Sequence, residues 1–570
     1  MSAADSPLLP QQLGQLFQRL DPQVGDEVLA LISELSHANQ AGHVCLPLAH
    51  RPERKALRGC ALVGRPGEYA PLILDAAGRL YFARHWFDEE RLAQGLARLA
   101  APQPLPDPAA LRGLLRRLFP EPGGPRPDRQ QLAAALAARQ RLMVISGGPG
   151  TGKTTTVVKL LALLASLSPR PLVMAMAAPT GKAAARLSES VRNARERLDI
   201  DAGARRQLPQ QAQTLHRLLG LRPGAVTPRH HAGNPLPLDV LVVDEASMID
   251  LALMARTVEA LPSQARLILL GDRDQLSSVE AGAVLGELCG DIRYRPETLA
   301  WLASVCGDSL PATPAPDSKL GDCVALLTHS HRFGADSGIG ELARLVNAGA
   351  GPASWRLLLD EAYPDVSRQA GLSDAEALAL RQPYWDAVAA GGEPDALQTA
   401  FSGFMLLAAE RRQVADFNQR AENLLERAGL KPAGRDWYPG RPVMISENDY
   451  GLGLFNGDIG FTVAREQGLR VAFPGENGQW REFAPGRLPA HDTVYAMTVH
   501  KSQGSEFDQV WLQLPPQAGN ALNRALVYTA ITRARRRFAA QGEEAVWLRG
   551  VESAPRRDSG LAERLKMPMA

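Results

Sequence analysis

Cysteine is scarce and irregularly spaced in this chain of 570 residues. The cysteines are odd in number and form no CxxC pair; they are Cys45, Cys60, Cys289, Cys306 and Cys323. This pattern argues against a disulfide framework and against a zinc site of regular spacing. We therefore expect a protein of the reducing cytoplasm.

Long apolar runs and an excess of either charge are also missing. The first twenty residues lack a basic region followed by an apolar core, and no window offers about 18 uninterrupted apolar residues. We expect neither an export signal nor a membrane-spanning segment. Because the net charge is only +2, any contact with nucleic acid must come from local basic clusters.

The length is sufficient for about three or four domains. Two proline-rich stretches, 101–108 and 120–128, flank one short helical segment and predict a linker at 106–128. Residues 1–105 would then form a separate N-terminal accessory domain. Residues 291–325 contain prolines and no sustained period, which indicates a surface excursion at the end of the next domain.

Short apolar runs that each end in a polar tip begin at residues 141, 171, 238 and 266. Such runs, separated by helical patterns, predict a parallel sheet covered on both faces, with ligands at the carboxyl ends of the strands. A second set of apolar runs follows residue 404, and residues 524–537 are predicted as a helix. At about 440–490, short alternating runs broken by Asn-Gly turns predict an antiparallel β insert.

The stretch GGPGTGKT at 147–154 follows the run RLMVIS and precedes an apolar-periodic helix, as a phosphate-binding loop requires. Lys153 would reach the β- and γ-phosphates, and Thr154 would offer its hydroxyl to Mg²⁺. A ligand-free glycine-rich turn is the alternative. The predicted nucleotide contacts are Gly148, Pro149, Gly150, Thr151, Gly152, Lys153, Thr154 and Thr155.

Carboxylates follow a buried run in LDVLVVDEAS at 238–247. Asp244 would hold Mg²⁺ and Glu245 would orient the attacking water, because a buried carboxylate is costly without a cation or partner. The start of a capped helix is the alternative. In GDRDQL at 271–276, Gln275 is a candidate sensor of the γ-phosphate, although a polar turn also fits.

Eight motifs together resemble superfamily 1 helicases, and more narrowly their RecD branch, over about residues 126–540. The resemblance implies two RecA-like motor domains, at 129–325 and 326–570, the second with an SH3-like β insert. It also implies ATP-driven 5′→3′ movement on DNA. The motifs are GGPGTGKTT, APTGKAAARL, TLHRLLG, VVDEAS, GDRDQLSSVEAG, SHRFG, YAMTVHKSQGSEFD and VYTAITRARRR.

The resemblance also implies roles in nucleotide binding. Arg332 and Arg533 would reach the γ-phosphate from the second motor domain, or second lobe, and Glu506 would hold the ribose. Gln130 would grip adenine, with Gln131 as the alternative. The chain departs from the family at His331, where a base-stacking tyrosine is usual.

For DNA, the resemblance implies three groups of contacts, which suit a grip on the backbone that does not depend on sequence. A core histidine is the alternative at His500. The predicted contacts are Thr180, Gly181, Lys182, Thr214, His216, Thr498, His500 and Lys501.

The segments 41–50 and 71–93 resemble the N-terminal region of RecD subunits in RecBCD, a region that docks onto RecC. This implies a heterotrimer with RecB-like and RecC-like partners that processes double-strand DNA ends. A generic accessory domain is the alternative. A free-standing helicase and a nucleotide-gated DNA switch remain competing functions. No nuclease cluster is recognised, since PDSK at 316–319 lies in the proline-rich excursion, so cleavage is expected in a partner.

Overall fold

The computed structural model describes residues 8–120, 127–222, 227–290, 292–307, 320–334, 336–449, 451–475, 479–519 and 521–566. These residues build two parallel sheets of six and five strands, an antiparallel five-stranded sheet, and a small N-terminal sheet. The predicted fold class is thereby confirmed. No helix in these ranges is both long enough and apolar enough to cross a bilayer.

The N-terminal domain has its own four-stranded sheet in the order β1-β4-β3-β2. Its last helix nevertheless shares a core with the first large sheet domain, because Trp86 and Leu96 pack in one cluster with Val258. A Cβ at Gly95 would collide with the Val258 side chain, so glycine permits this close approach. The elements are α1 (Leu8–Leu20), α2 (Asp26–Gln40), β1 (Leu46–Pro47), β2 (Val63–Gly64), β3 (Leu72–Leu74), β4 (Arg79–Phe82) and α3 (Ala83–Leu99).

The first parallel sheet has the order β10-β5-β9-β8-β6-β7. All four apolar runs predicted as strands are present, as β5, β6, β8 and β9, and their polar tips share the carboxyl edge. The strands are β5 (Leu142–Gly147), β6 (Met174–Ala178), β7 (Ala212–Thr214), β8 (Val240–Val243), β9 (Arg266–Gly271) and β10 (Val324–Leu327). The helices are α4 (Pro108–Leu118), α5 (Arg129–Arg139), α6 (Lys153–Leu167), α7 (Gly181–Glu196), α8 (Ala202–Gln207), α9 (Leu215–Leu219), α10 (Leu251–Glu259), α11 (Val284–Leu288) and α12 (Pro296–Cys306).

The predicted surface excursion at 291–325 is wrong for the described part of that segment. Helix α12 buries Trp301 and Leu302 in the core of the first domain, and β10 pairs with β5. Pro296 occupies the first turn of α12, where a proline starts a helix rather than breaking one. Strand β10 also continues past the predicted boundary at 325. Residues 308–319, which include PDSK, lie outside the described residues.

The structure also corrects the linker predicted at 106–128. Helix α4 is capped by Asp107, which accepts from the backbone N–H groups of Ala109 and Ala110. Leu111 and Leu115 of α4 are fully buried in the core that also contains α6 and α12. Most of this stretch is therefore a packed part of the first domain, because the apolar face of α4 finds a partner there. Residues 121–126 lie outside the described residues.

The second parallel sheet has the order β11-β20-β19-β12-β18. The helix predicted at 524–537 ends at Ile531, and Ala534–Gln541 form β20 instead, paired with β19 and β11. The strands are β11 (Val366–Gln369), β12 (Phe404–Ala408), β18 (Ala496–Thr498), β19 (Phe507–Gln513) and β20 (Ala534–Gln541). The helices are α13 (Gly338–Asn347), α14 (Gly351–Leu357), α15 (Asp374–Ala389), α16 (Pro394–Phe401), α17 (Arg411–Arg427), α18 (Arg524–Ile531), α19 (Glu544–Glu552) and α20 (Leu561–Arg564).

The insert is antiparallel throughout, in the order β16-β15-β14-β13-β17. Gly457, in the predicted Asn-Gly turn, has a φ of 91°, which a residue with a side chain rarely adopts. The strands are β13 (Pro442–Ile445), β14 (Ile459–Arg465), β15 (Gly468–Pro474), β16 (Trp480–Phe483) and β17 (His491–Thr493).

The chain after α19 leaves the second domain, although 326–570 was predicted as one unit. Arg557 donates to the backbone carbonyls of Ser278 and Gly282 in the first domain. Beyond it, the fully buried Glu89 of the N-terminal domain accepts from the Gly560 N–H and from Arg564. A buried carboxylate needs such donors. The tail therefore ties the second domain to both of the others.

Candidate ATP site and nucleic-acid interface

The phosphate-loop candidate joins β5 to α6 at the carboxyl edge of the first sheet. Gly150 and Gly152 have φ values of 73° and 79°. A Cβ at Gly152 would collide with the Gln130 amide, and one at Gly150 would collide with Arg332. Both glycines are therefore required by backbone conformation and by close contacts. The loop aims its amides at the space before α6, where an anion is favoured.

Lys153 rests inside the loop, because its Nζ donates to the carbonyls of Gly147 at 2.6 Å and Gly148 at 3.1 Å. Thr154 and Thr155 lie in the first turn of α6. Thr151 donates its hydroxyl to the Gly148 carbonyl at 2.8 Å. The residues predicted for phosphate binding thus lie on one loop and one helical turn, as their sequence order requires.

Asp244 and Glu245 follow β8 at the same edge. Burial, and then the neighbouring Glu245, raise the pKa of Asp244 to about 6, while Lys153 opposes the shift. The Glu245 N–H donates to the Asp244 carboxylate at 2.9 Å. Glu245 has a φ of 52° and is the one non-glycine residue with positive φ in the described part of the chain. Backbone strain of this kind is concentrated at functional sites.

The oxygen ligands at this edge fit Mg²⁺, which binds through one or two carboxylates together with substrate phosphates. Asp244 is a half-buried carboxylate whose raised pKa a nearby cation would reverse. The Thr154 hydroxyl supplies a second oxygen type. Among the described residues, no three His, Cys, Asp or Glu side chains gather into a metal-binding group.

Gln275 is buried, and its Nε2 donates to the Asp272 carboxylate at 3.0 Å. Asp272 directly follows β9 and accepts a second hydrogen bond, at 2.9 Å, from the hydroxyl of Tyr528 on α18. Burial raises the pKa of Asp272, while Lys153 opposes the shift. The first and second lobes therefore meet at this carboxylate. Neither Asp272 nor Tyr528 is among the site residues predicted from the sequence.

The structure corrects the placement of Arg332 in the second lobe. Arg332 follows β10 of the first sheet, and the neighbouring His331 N–H donates to the Gly150 carbonyl at 2.8 Å. The partner of Arg332 does lie in the second lobe: its Nη2 contacts the Glu506 carboxylate at 2.7 Å. The buried Nη1 of Arg332 has no hydrogen-bond partner among the described residues. A half-buried guanidinium whose Nη1 is buried without a partner suits an anion.

Glu506 lies just before β19 and binds Arg332 and Arg535. Burial alone would raise its pKa, but Arg332, Arg186 and Arg533 lower it to about 2. The predicted ribose-binding carboxylate is thus bound by arginines in this structure. Its negative charge attracts arginines from both of the lobes that line the cleft.

Gln130 lies beside the loop, where its Nε2 donates to the Thr151 carbonyl at 3.1 Å. The same nitrogen is 3.4 Å from Nε2 of His331. This proximity places Gln130 and His331 together, as a base-binding pair requires. Gln131 donates its backbone N–H to Asp128. The side chain of Gln130 therefore contacts the loop, while the backbone N–H groups of both glutamines donate to Asp128.

Arg533 is buried and is held entirely by the second lobe, where it donates to the backbone carbonyls of Thr529 and Ser505. It does not touch the phosphate loop through any hydrogen bond between described residues. Its charge lies close enough to Glu506 to lower that pKa. The structure thus brings Arg533 to the cleft but not to the loop.

Of the predicted DNA contacts, the first group lies against the second lobe. Thr180 caps α7 by accepting from the Ala183 N–H. A Cβ at Gly181 would lie 2.8 Å from the Phe455 ring in the insert. The Lys182 ammonium donates to the Ser505 hydroxyl. Burial, and then Arg186, lower the pKa of Lys182 to about 8. In this arrangement Lys182 bridges the lobes.

The second group is at the start of α9, where Thr214 caps the helix and His216 is exposed. Although His216 is exposed overall, partial desolvation of its ring lowers its pKa, while the nearby Asp250 opposes the shift.

The third group follows β18. Thr498 accepts from the Lys501 N–H at 3.3 Å, and the Lys501 ammonium lies 3.8 Å from Asp492. Burial, followed by Arg557 and Arg411, lowers the pKa of His500.

Two family models match this chain: an AAA domain over residues 130–281 and a UvrD-like helicase C-terminal domain over residues 493–539. The RecBCD enzyme subunit RecD of Mycobacterium tuberculosis is 40% identical over 93% of this chain and 88% of its own. The chain belongs to the RecD family. The RecD subunit of Haemophilus influenzae is 37% identical over 86% of this chain and 80% of its own. The ATP-dependent RecD2 DNA helicase of Deinococcus radiodurans is 32% identical over 92% of this chain and 67% of its own.

Membership of the RecD family makes the protein a superfamily 1 DNA helicase that uses ATP. This agrees with an ATP-site candidate that is built from two parallel-sheet domains. The phosphate loop after β5 and the carboxylates after β8 can each be recognised from a short stretch of the sequence. Asp272 carries the same signal as Asp244, a carboxylate that directly follows a buried strand. Tyr528 lies in the motif VYTAITRARRR, but the motif assigns it no role.

Proposed function

We propose that this RecD-family helicase moves 5′→3′ on single-stranded DNA as one subunit of a heterotrimer with RecB-like and RecC-like partners. The observation that carries the motor proposal is the pair between Arg332 and Glu506 at 2.7 Å. Arg332 lies against the phosphate loop, whereas Glu506 belongs to the second lobe. A nucleotide entering the cleft must exchange this contact, and that exchange links ATP to lobe movement.

We assign the steps to named groups. Lys153 leaves the loop carbonyls for the phosphates, and Glu245 orients the attacking water. The free donor of Arg332 and the nearby Arg533 stabilise charge in the transition state. Thr154 and Asp244 would hold Mg²⁺, which neutralises phosphate charge when bound. Gln130 and His331 contact the base, and Glu506 is freed for the ribose.

DNA would cross the tops of both lobes, held by the three groups that begin at Thr180, Thr214 and Thr498. Lys182 would exchange Ser505 for a DNA phosphate when the lobes open, because a half-buried ammonium gains more from a phosphate than from a hydroxyl. We place the meeting point of the two motor domains just after β10. Residues 1–105 would serve for partner docking, and DNA cleavage would belong to a partner.

The test is unwinding of duplexes that carry either a 5′ or a 3′ single-stranded tail. We expect the wild type to open the 5′-tailed duplex only, and Lys153→Gln to open neither. Lys159→Gln is the matched control: Lys159 lies on the same helix, over the Phe119 ring, away from the loop. Opening of the 3′-tailed duplex alone would refute the polarity. Loss of activity in both variants would refute the role of Lys153.

Co-purification tests the assembly. We expect the full chain to bring down two partner proteins and to unwind better with them than alone. A fully active monomer would favour the free-standing helicase instead. ATP-dependent binding without translocation on single strands would favour the nucleotide-gated switch.

A further inference from the structure

Asp272 is a buried carboxylate that receives hydrogen bonds from two different lobes at one atom. Its Oδ2 accepts from Gln275 Nε2 at 3.0 Å and from the Tyr528 hydroxyl at 2.9 Å. Only 3% of Asp272, 7% of Gln275 and 5% of Tyr528 is exposed. In such a buried network each donor is costly to lose, because water does not replace it.

Two further contacts join the same short segment to the second lobe. The Leu276 N–H donates to the Thr529 hydroxyl at 2.9 Å, and the Leu276 carbonyl accepts from Gln503 at 2.9 Å. Gln275 thus lies between Asp272 and Leu276, both of which are hydrogen-bonded to the second lobe. Any displacement of Gln275 must act on these contacts.

The Tyr528 hydroxyl also reaches the phosphate loop. A Cβ at Gly148 would lie 3.0 Å from that hydroxyl and 4.0 Å from Asp272 Oδ2. The absence of a side chain at Gly148 therefore lets a residue of the second lobe approach the loop closely. Tyr528 lies in α18, and Arg533 follows the end of that helix. A shift of Tyr528 would therefore be transmitted to Arg533 through a rigid element.

We propose that Tyr528 is a positioning residue that transmits the state of Gln275 to the second lobe through Asp272. When a γ-phosphate draws the Gln275 amide away, the Oδ2 atom of Asp272 loses one of its two donors and holds Tyr528 more tightly. The second lobe is then fixed in the arrangement that ATP favours. The proposal rests on the proposed function and on the sequence prediction that Gln275 senses the γ-phosphate, and it adds the route by which that sensing leaves the first lobe.

The experiment measures how a nucleotide changes the affinity for DNA, which needs no unwinding. The affinity of the full chain for a fluorescent oligothymidine is compared with and without a non-hydrolysable ATP analogue and Mg²⁺. We expect about a tenfold change for the wild type and less than about twofold for Tyr528→Phe, since a hydrogen bond to a charged group is lost. The KM for ATP should stay within about twofold, because Tyr528 does not bind the nucleotide.

Tyr384→Phe is the matched control. Tyr384 is fully buried in the second lobe and donates to the Gly440 carbonyl at 2.9 Å, far from Asp272 in the fold. It should keep the wild-type coupling. If Tyr528→Phe does not fold, Thr529→Ala and Thr529→Ser provide the same comparison at the neighbouring contact, and only the serine variant should keep the coupling.

Wild-type coupling in Tyr528→Phe would overturn the proposal, as would equal losses in Tyr528→Phe and Tyr384→Phe. The proposal would also be overturned if the DNA affinity of the wild type were the same with and without the nucleotide, since no signal would then exist to transmit. Failure of the proposed function appears separately, as a wild type that does not open the 5′-tailed duplex.

Discussion

Asp244 should destabilise the folded chain when no cation is bound. Burial and the neighbouring Glu245 raise its pKa from 3.8 to about 6. Keeping that carboxylate ionised at neutral pH therefore costs about 3 kcal/mol, and Asp244→Asn removes this cost. The amide still accepts the Glu245 N–H, so we expect the variant to be about 1–3 kcal/mol more stable, while its ATPase activity is lost.

The sign of the pH dependence follows from the direction of the shift. Below 3.8 the carboxyl is protonated in both the folded and the unfolded chain, so the variant gains nothing. The difference grows as the pH rises through about 6 and is constant above it. Thermal melts in EDTA at several pH values measure it, at about 2–4 °C per kcal/mol for a domain of this size.

The control is Asp250→Asn, because Asp250 caps α10 by accepting from the Leu253 N–H at 2.8 Å, a role that asparagine fills equally well. It should leave the melting temperature unchanged. Added Mg²⁺ should stabilise the wild type more than Asp244→Asn. A variant that melts at or below the wild-type temperature at neutral pH would refute the argument that Asp244 is held ionised at a cost.

Three smaller predictions follow from the same cleft and from the tail. Gly152→Ala should lose about 1–2 kcal/mol in urea melts and bind ATP more weakly, because its Cβ meets Gln130 in a left-handed backbone. Gly59→Ala, left-handed but in open space, should show the strain without the loss of ATP affinity. Glu506→Gln should cost about 1–3 kcal/mol in melts at neutral pH. Since the pKa of Glu506 is lowered from 4.5 to about 2, this difference should be constant above 4.5 and vanish as the pH falls through 2. Arg557→Ala removes donors to three carbonyls of the first domain and should speed proteolysis of the C-terminal tail.

The strands that the sequence predicts are those whose apolar runs are continuous and buried on both faces. The sequence does not predict strand β10, because only four of its residues pair and their partner strand, β5, lies far away in the sequence. The sequence does not predict strand β20, because Arg535, Arg536 and Arg537 are exposed and its first half therefore resembles a basic helix face. In both cases pairing with a neighbouring strand decides the structure, and a local pattern does not contain that information.

The residues of the candidate site differ in the same way: some are recognised from a local pattern, and others only from contacts between distant parts of the chain. The loop before Lys153 and the carboxylate Asp244 are local patterns, and the sequence alone locates them. The contact of Tyr528 with Asp272 joins residues separated by 256 positions, and it exists only because two domains meet. Arg332 shows the opposite case: the motif predicts the residue, but only the strand before it shows which lobe carries it.

Three of the groups predicted to bind ATP are each held by a protein partner in this structure. Lys153 is held by loop carbonyls, Arg332 by Glu506, and Gln275 by Asp272. Each pair satisfies a charge or an amide that would otherwise be costly in a half-buried cleft. A nucleotide therefore gains only the difference between its own contacts and those it replaces. Because Glu506 belongs to the second lobe and Tyr528 shares Asp272 with Gln275, two of these three exchanges alter contacts between the lobes. On the proposed function, these contacts would couple nucleotide binding to lobe movement.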